Sequence, residues 1–276
     1  MISLKAWAKI NIGPKILGKR EDGFHNIETT LATVNLSDYV TLDEMDSAIV
    51  VEAKNLEVQQ KDNLCYRAAD LFKSRYGITR GVKIGLIKNI PVGAGLGGGS
   101  SDAAAVLKGM AKLFNIYIED KELMILATEI GSDVPFFIKG GSAHAKGRGE
   151  ELKFFRLPRM ELVLYYPGYP ISTKWAYGEY DKMMLTPQPD VDNISQGKKK
   201  KIRKGFELEN HFEKVVFSRH PDLLDVKMNL LSTGAFFVSL SGSGSSIFAV
   251  VDETTRSKVI KYLDGIGAQY FEVHTL

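Results

Sequence analysis

Residues 91–101 read PVGAGLGGGSS and lie between a strand-like and a helix-like segment. The preceding residues, 82–90, alternate well enough between apolar and polar side chains to form a half-exposed strand. From Ser100 to Phe114 the apolar residues recur at helical spacing. Five glycines allow tight turns and expose backbone N–H groups, to which the start of the helix adds its own. The stretch predicts a phosphate-binding loop.

Three interpretations of this loop compete. The first interpretation is a flexible turn, but such a turn needs fewer than the five glycines that precede Ser100 and Ser101 here. A GxGxxG match begins at Gly93, as in dinucleotide-binding folds, but Lys83 and Lys88 stand in the preceding strand, where a central parallel strand is nearly all apolar. The third interpretation is a kinase-type phosphate cradle. No GxxxxGK[ST] occurs in the chain, which excludes a P-loop NTPase at the motif level.

Composition sets the broader limits. The 276 residues are 44% apolar and 25% charged, which is typical of a globular protein long enough for two domains. Cys65 is the single cysteine, so an intrachain disulfide and a cysteine-based zinc site are excluded and a reducing cytoplasm is expected. No apolar run of membrane-spanning length and no secretion signal occurs.

The charge pattern gives little support for nucleic-acid binding. The net charge of +3 suits a nucleotide ligand but is far below that of nucleic-acid-binding proteins. Basic residues are concentrated at 198–204, which read KKKKIRK. This run is interpreted as a solvated loop, with a functional basic patch as the alternative.

The pattern of elements predicts an α+β fold with mostly antiparallel sheets. In the first strand, the period of two places Lys9 and Asn11 side by side on one surface. A composition break near 150–158 divides the chain into an N-terminal domain, 1–153, and a C-terminal domain, 154–276. Further strands are predicted at 27–36, 39–45, 48–53, 161–166, 235–240, 247–251 and 269–274, and further helices after Asn63, from Asp120 to Gly131, after Thr173, and at 206–218, 221–232 and 254–264.

Four segments carry a resemblance to one known family. The glycine stretch, extended to PVGAGLGGGSSDAAA, resembles the second motif of the GHMP kinases, the superfamily of galactokinase and of homoserine, mevalonate and phosphomevalonate kinases. Residues 8–25 (AKINIGPKILGKREDGFH), 131–137 (GSDVPFF) and 241–246 (SGSGSS) are similar to three further motifs of one branch of that superfamily. The four segments are collinear with the family over nearly the whole chain.

The resemblance implies a specific reaction. The GGGSSDAA form is similar to the branch that phosphorylates the 2-hydroxyl of 4-diphosphocytidyl-2-C-methyl-D-erythritol in the non-mevalonate isoprenoid pathway. It implies ATP and Mg²⁺ as cofactors and a small molecule as the partner. It implies no nucleic acid, no membrane and no obligate protein partner. The implied fold is an N-terminal domain like that of ribosomal protein S5 and a ferredoxin-like C-terminal domain, with the site in the cleft between them.

Two residues match the catalytic positions of the family. Asp133 matches the aspartate that takes the proton of the substrate hydroxyl, and Lys9 matches the lysine that orients it and offsets charge on the transferred phosphoryl group. From the residues alone, a role as helix cap or turn residue is the better interpretation of Asp133. Lys9 reads as an exposed strand lysine.

Five residues match the substrate-binding positions of the family. The implied roles are a polar contact by Asn11, stacking and hydrogen bonding of the cytosine by Phe24 and His25, and a contact and second stacking ring from Thr173 and Tyr177. Phe24 replaces the family's tyrosine, which keeps the ring face and loses a hydroxyl. Without the resemblance, these residues read as exposed polar groups, turn residues, a helix cap and a half-buried tyrosine.

The nucleotide side comprises the glycine loop and two further residues. Ser100 and Ser101 could cap the helix, donate to phosphate or help to hold Mg²⁺, which is otherwise bound by the phosphates of ATP. Lys88 and Asn63 match positions near the adenine, although they read alone as an exposed lysine and a helix cap. The predicted nucleotide-binding residues are Asn63, Lys88, Pro91, Val92, Gly93, Ala94, Gly95, Leu96, Gly97, Gly98, Gly99, Ser100 and Ser101.

Departures from the family pattern leave two alternatives open. Pro14 interrupts the first strand and marks a bulge or an edge, and Asn210–His211 replaces the common Asn–Asp pair. A different alcohol could be the substrate, in which case cytosine would not affect binding. An RNA-binding module, suggested by the S5-like fold and the basic run, would need salt-dependent RNA affinity and would leave Asp133 unexplained.

Overall fold

The computed structural model describes residues 1–53, 60–185 and 209–276. The basic run at 198–204 lies outside these residues. Within them, every helix is too short or too polar to cross a bilayer.

The first half of the chain builds a six-stranded sheet around a long hairpin. Its first two strands are antiparallel and pair Lys9 with Thr33. The register shifts between Ile12 and Lys15, so Pro14 lies in a bulge, as predicted. Every pairing is antiparallel except that of the third strand with the fourth. The strands are β1 (Ile2–Lys19), β2 (His25–Met45), β3 (Ile49–Ala53), β4 (Gly81–Ile87), β5 (Ser142–Lys146) and β6 (Glu151–Phe155) in the order β3-β4-β2-β5-β6, with β1 on β2.

One face of this sheet is covered by helices. The central one, α2, is buried over most of its surface because its residues there are small or apolar, among them Ala103, Val106 and Met110. They pack with Leu31 and Leu42 of β2 into the first core. The helices of this half are α1 (Leu64–Tyr76), α2 (Gly98–Leu113), α3 (Asp120–Thr128) and α4 (Val134–Lys139).

The second half forms an antiparallel sheet of four strands with helices on its outer face. Phe212, Leu223 and Val259 from three helices pack on Val163 and Ala249 of the sheet. The strands, in the order β10-β7-β9-β8, are β7 (Glu161–Tyr166), β8 (Phe237–Leu240), β9 (Ile247–Val251) and β10 (Gln269–His274). The helices are α5 (Thr173–Leu185), α6 (His211–Arg219), α7 (Pro221–Ser232) and α8 (Glu253–Gly265).

A third core joins the two sheets. Ala8 and Ile10 of β1 meet Leu162 of β7 and Phe248 of β9 in this layer. Because successive strand residues face opposite sides, the side chains of Lys9 and Asn11 lie on the opposite face of β1 from Ala8 and Ile10. The domain boundary stays a proposal. The expected division at 153/154 would cut β6, which pairs with β5 in the larger sheet, so we move it to the connection 156–160.

The predicted fold class is confirmed, and most predicted elements are found. The strands expected at 27–36 and 39–45 are one continuous strand, β2, whose pairing with β1 continues on both sides of a register shift between Val34 and Ser37. Helix α4 and the β5–β6 hairpin were not predicted. The helix has six residues and each strand of the hairpin has five, which is too short for a clear periodicity.

Candidate active site

The glycine loop connects β4 to α2. Gly95 and Gly97 have φ of 76° and 70°, the left-handed region that favours glycine. Helix α2 begins at Gly98, two residues before the predicted start, and Gly97 stands at its N-cap without a side-chain hydrogen bond. The prediction that Ser100 or Ser101 caps the helix is therefore wrong. Ser101 is only 3% exposed, whereas Ser100 is half-buried.

A second glycine loop, 241–246, packs directly on the first. The backbone N–H of Ser246 donates to the Ala94 carbonyl at 3.1 Å, and the Ser241 hydroxyl donates to the Gly95 carbonyl at 2.9 Å. This loop is also the turn between β8 and β9. The two loops thus join the two halves of the chain above the strand that carries Lys9.

Lys9 and Asp133 are brought together next to the glycine loop. Nζ of Lys9 lies 3.7 Å from Oδ2 of Asp133 and donates a hydrogen bond to the Asn11 side chain. The Lys9 backbone N–H donates to the Leu96 carbonyl at 3.0 Å, which ties β1 to the loop. Lys9 is 4% exposed, so the interpretation as an exposed strand lysine is wrong. Burial lowers the pKa of Lys9, and the Asp133 carboxylate opposes that fall.

Asp133 is held at the start of α4 with its carboxylate available. It occupies the N-cap position, yet its side chain makes no capping hydrogen bond. The side chain is 38% exposed, so it reaches solvent on one side and Lys9 on the other. Burial raises the pKa of Tyr177 to about 12, and the negative charge of Asp133 adds to the rise. Tyr177 of the second half therefore lies within the electrostatic reach of Asp133.

The predicted substrate residues meet where the β1–β2 hairpin touches α5. The rings of His25 and Tyr177 stack with centroids 4.6 Å apart, and the edge of Phe212 supports Tyr177 from 4.9 Å. Thr173, the first residue of α5, shares a hydrogen bond of 3.0 Å with Ser243 of the second glycine loop.

Phe24 is not part of this stack. Its side chain is 52% exposed. The guanidinium of Arg148 lies 5.0 Å from its ring centroid and covers one face.

The two remaining nucleotide residues have structural partners. Lys88 hydrogen-bonds both Asp38 and Asp102, which are buried, so its interpretation as a simple exposed lysine is wrong. Burial raises the pKa of Asp102 to about 7; the cation of Lys88 opposes the rise, and the charge of Asp38 adds to it. A Cβ on Gly98 would lie 3.3 Å from Nζ of Lys88, which places the lysine beside the loop. Asn63 caps α1 by accepting from the Cys65 N–H at 2.8 Å.

Comparisons with known proteins agree with this geometry. Residues 63–141 match the GHMP kinases N terminal domain, and residues 191–268 match the GHMP kinases C terminal domain. A 4-diphosphocytidyl-2-C-methyl-D-erythritol kinase of Prosthecochloris aestuarii is 41% identical over 93% of this chain and 91% of its own length. One of Clostridium kluyveri is 38% identical over 98% and 97%.

A solved structure extends the match to three dimensions. The crystal structure of a 4-(cytidine 5'-diphospho)-2C-methyl-D-erythritol kinase superposes with a TM-score of 0.80 at 32% identity, covering 99% of both chains. The chain belongs to this family of GHMP kinases. Its ATP-dependent small-molecule kinase activity follows from that membership, and the resemblance of the four sequence motifs is confirmed.

The departure from the family pattern at residues 210–211 has a structural explanation. Asn210 caps α6 and donates from Nδ2 to the carbonyls of Leu240 and Gly242, at 3.0 and 2.9 Å, which holds the second glycine loop. Nδ1 of His211 accepts from the Ile16 N–H of β1 at 3.1 Å. The histidine therefore satisfies a backbone amide of the first strand.

Sequence reasoning missed three carboxylates that contact the candidate site residues. Asp38 and Asp102 flank Lys88, and Asp181 hydrogen-bonds His25. Asp38 and Asp102 lie 50 and 14 residues from Lys88, and no local pattern connects them. Asp181 did have a signal, since it lies four residues after Tyr177 and shares its helix face.

Proposed function

We propose that this protein transfers the γ-phosphoryl group of ATP to the 2-hydroxyl of 4-diphosphocytidyl-2-C-methyl-D-erythritol, a step in making isoprenoid precursors. The observation that carries the proposal is the position of the Lys9–Asp133 pair against the glycine loop. A Cβ on Gly97 would lie 3.1 Å from Cε of Lys9, so the pair adjoins the loop expected to hold the phosphates. The printed names of the relatives supply the substrate.

Asp133 acts as the general base in this proposal. The substrate hydroxyl oxygen forms a bond to the γ-phosphorus, the bond to the β–γ bridging oxygen breaks, and ADP leaves. Asp133 takes the proton released from the hydroxyl. Lys9 supports this role because its buried cation lies 3.7 Å from the carboxylate and offsets negative charge on the transferred group.

The nucleotide side uses backbone groups for most of its contacts. The backbone N–H groups of residues 92–97 and those at the start of α2 face the triphosphate in this proposal. Among the described residues, no group of three His, Cys, Asp or Glu side chains could hold a metal ion. Mg²⁺ bound mainly by phosphate and water needs only one or two protein oxygens, and the hydroxyl of Ser100 fits that need. When bound, Mg²⁺ neutralises charge on the phosphates.

The substrate side uses residues of both halves of the chain. His25 provides the polar edge for the cytosine, and Tyr177 and the exposed Phe24 remain the candidates for the stacking rings. Asn11 and Thr173 contact the erythritol and diphosphate parts. Lys88 and Asn63 remain candidates for contacts near the adenine. The cytoplasmic location expected from the sequence stays a prediction.

A substrate panel tests the proposal. ADP release is measured with MgATP and, in turn, the cytidyl substrate, mevalonate, homoserine and galactose. We expect turnover with the cytidyl compound alone. Turnover with a different alcohol would replace the proposed substrate and keep the kinase site. No turnover with any of the four, in protein shown to bind ATP, would refute the proposed reaction.

A further inference from the structure

His25 is fixed in two directions by one helix. Tyr177 stacks on its ring with an interplanar angle of 14°. Asp181, one helical turn later, hydrogen-bonds the edge of the ring, with 2.6 Å between Oδ1 and Nε2. Both contacts cross from the β1–β2 hairpin to α5, and His25 is 8% exposed. The orientation of the imidazole therefore depends on the second half of the chain.

Asp181 is an acceptor only. Its other oxygen, Oδ2, accepts from Nζ of Lys19 at 2.7 Å. Although partial burial opposes ionisation, the hydrogen bonds from Lys19 and His25 hold the pKa of Asp181 below its ordinary value. An ionised carboxylate has no proton to donate, so Nε2 of His25 must carry one.

The proton on Nε2 determines whether the other ring nitrogen, Nδ1, donates or accepts a hydrogen bond. In a neutral imidazole with Nε2–H, Nδ1 has a lone pair and only accepts. Among the residues that the structure describes, Nδ1 of His25 has no hydrogen-bond partner. It is therefore the polar atom of this ring that remains for a ligand.

Cytosine and uracil differ at the atom that such a nitrogen would meet. Cytosine carries an amine donor at C4, whereas uracil carries a carbonyl acceptor there. An accepting Nδ1 pairs with the amine and faces the carbonyl with two lone pairs opposed. A donating Nδ1–H would reverse that preference.

We propose that Asp181 is a positioning residue that holds His25 in the Nε2–H tautomer and thereby makes the site select cytosine over uracil. The selectivity part rests on the proposed function, because it requires the base of the substrate to lie against His25. The tautomer part does not, because it concerns the protein alone. Lys19 supports the same state by occupying the second carboxylate oxygen.

The first experiment is ¹H–¹⁵N NMR of the histidine rings in the full-length protein without ligand. We expect His25 to be Nε2–H in the wild type and a mixture of tautomers in Asp181→Asn, because an amide can donate as well as accept. Asp181→Glu keeps an ionised acceptor, and we expect it to restore the Nε2–H state. An Nδ1–H tautomer in the wild type overturns the proposal without any variant.

The second experiment measures kcat/KM for the cytidyl substrate and for its uridyl analogue. We expect the cytidyl-to-uridyl ratio to fall about tenfold or more in Asp181→Asn, since a site built to hydrogen-bond one group discriminates strongly against its loss. Glu179→Gln is the matched control. It removes a carboxylate from the same helix that pairs with Lys182 and Arg219, away from His25, and the ratio should not change.

The outcomes separate the two proposals. No turnover of the cytidyl substrate by the wild type refutes the proposed function and leaves the tautomer result standing on its own. Turnover with an unchanged ratio in Asp181→Asn overturns the assignment of selectivity to Asp181. An equal loss of kcat/KM for both nucleotides has the same consequence, because a merely structural role lowers both and leaves the ratio constant.

Discussion

Substitution of Gly95 by alanine should separate the two glycine loops. The added Cβ would lie 2.8 Å from the Gly244 carbonyl oxygen and closer still to that of Ser241. Both obstacles are backbone atoms, so no side chain can rotate away. Gly95 also has φ of 76°, a conformation that alanine rarely adopts. One of the two loops must move.

The expected loss of stability follows from these contacts. The left-handed conformation costs a non-glycine residue about 1–2 kcal/mol. Moving the loops apart breaks the hydrogen bonds from Ser241 to Gly95 and from Ser246 to Ala94, each of which contributes about 0.5–1.5 kcal/mol. We therefore expect Gly95→Ala to lower the free energy of unfolding by about 2–5 kcal/mol. Activity should fall as well, because the phosphate loop loses the surface that supports it.

The same loop contains a matched control. Gly99 lies in the first turn of α2, and the nearest atom to a Cβ added there is Cδ1 of Leu64 at 3.8 Å, an ordinary contact. Alanine at a helical position is favoured over glycine by up to about 1 kcal/mol, so Gly99→Ala should be neutral or stabilising. Urea unfolding of both variants, followed by tryptophan fluorescence, measures the difference. A Gly95→Ala protein as stable as the wild type, or a Gly99→Ala protein equally damaged, would refute the steric argument.

Two further predictions concern charged groups. Asp133→Asn should lower kcat about 100-fold or more while ATP still binds, because that is the scale for loss of a general base. Asp70→Asn, a change at an exposed position of α1, should leave kcat unchanged and serves as the control. A near-normal kcat in Asp133→Asn would contradict the assignment. For Asp102, whose pKa is about 7 in the folded protein against 3.8 ordinarily, the folded state retains a proton that the unfolded chain has released. That contribution to stability is full below pH 3.8 and is lost as the pH rises through 7. The free energy of unfolding of the wild type, measured by urea titration relative to that of Asp102→Asn, should therefore fall between pH 5 and pH 8. A relative stability that stays constant over this interval would show that Asp102 is ionised throughout in the folded protein.

Local patterns in the sequence were sufficient for the glycine loop, the fold class and most elements. The strand ending before Pro91, the five glycines and the helical spacing after Ser100 all lie within about thirty residues, where period and propensity act directly. The start of α2 was misplaced by two residues because Gly97, not a serine side chain, occupies the N-cap.

The burial of the site residues and the identity of the residues they contact could not be predicted from local sequence patterns. Lys9 alternates with apolar residues like any strand lysine. It is buried because the glycine loop at Leu96 and Gly97 packs against it and Asp133 lies 3.7 Å from its amine. The buried carboxylates around Lys88 come from β2 and α2, and their shifted ionisation exists only in the packed interior. No stretch of sequence contains those neighbours.

The sequence by itself determined which chemistry the chain carries. Glycine-rich turns, a strand with Lys9 and Asn11 on one face, and the order of the four motifs are properties of short segments, and they identified the family. Only the tertiary structure decided how these groups act together. The 3.7 Å between Lys9 and Asp133, the contact of the two glycine loops and the hydrogen bond from His25 to Asp181 join residues more than a hundred positions apart. Such contacts depend on how two sheets pack through a shared core, and that packing is a property of the whole chain.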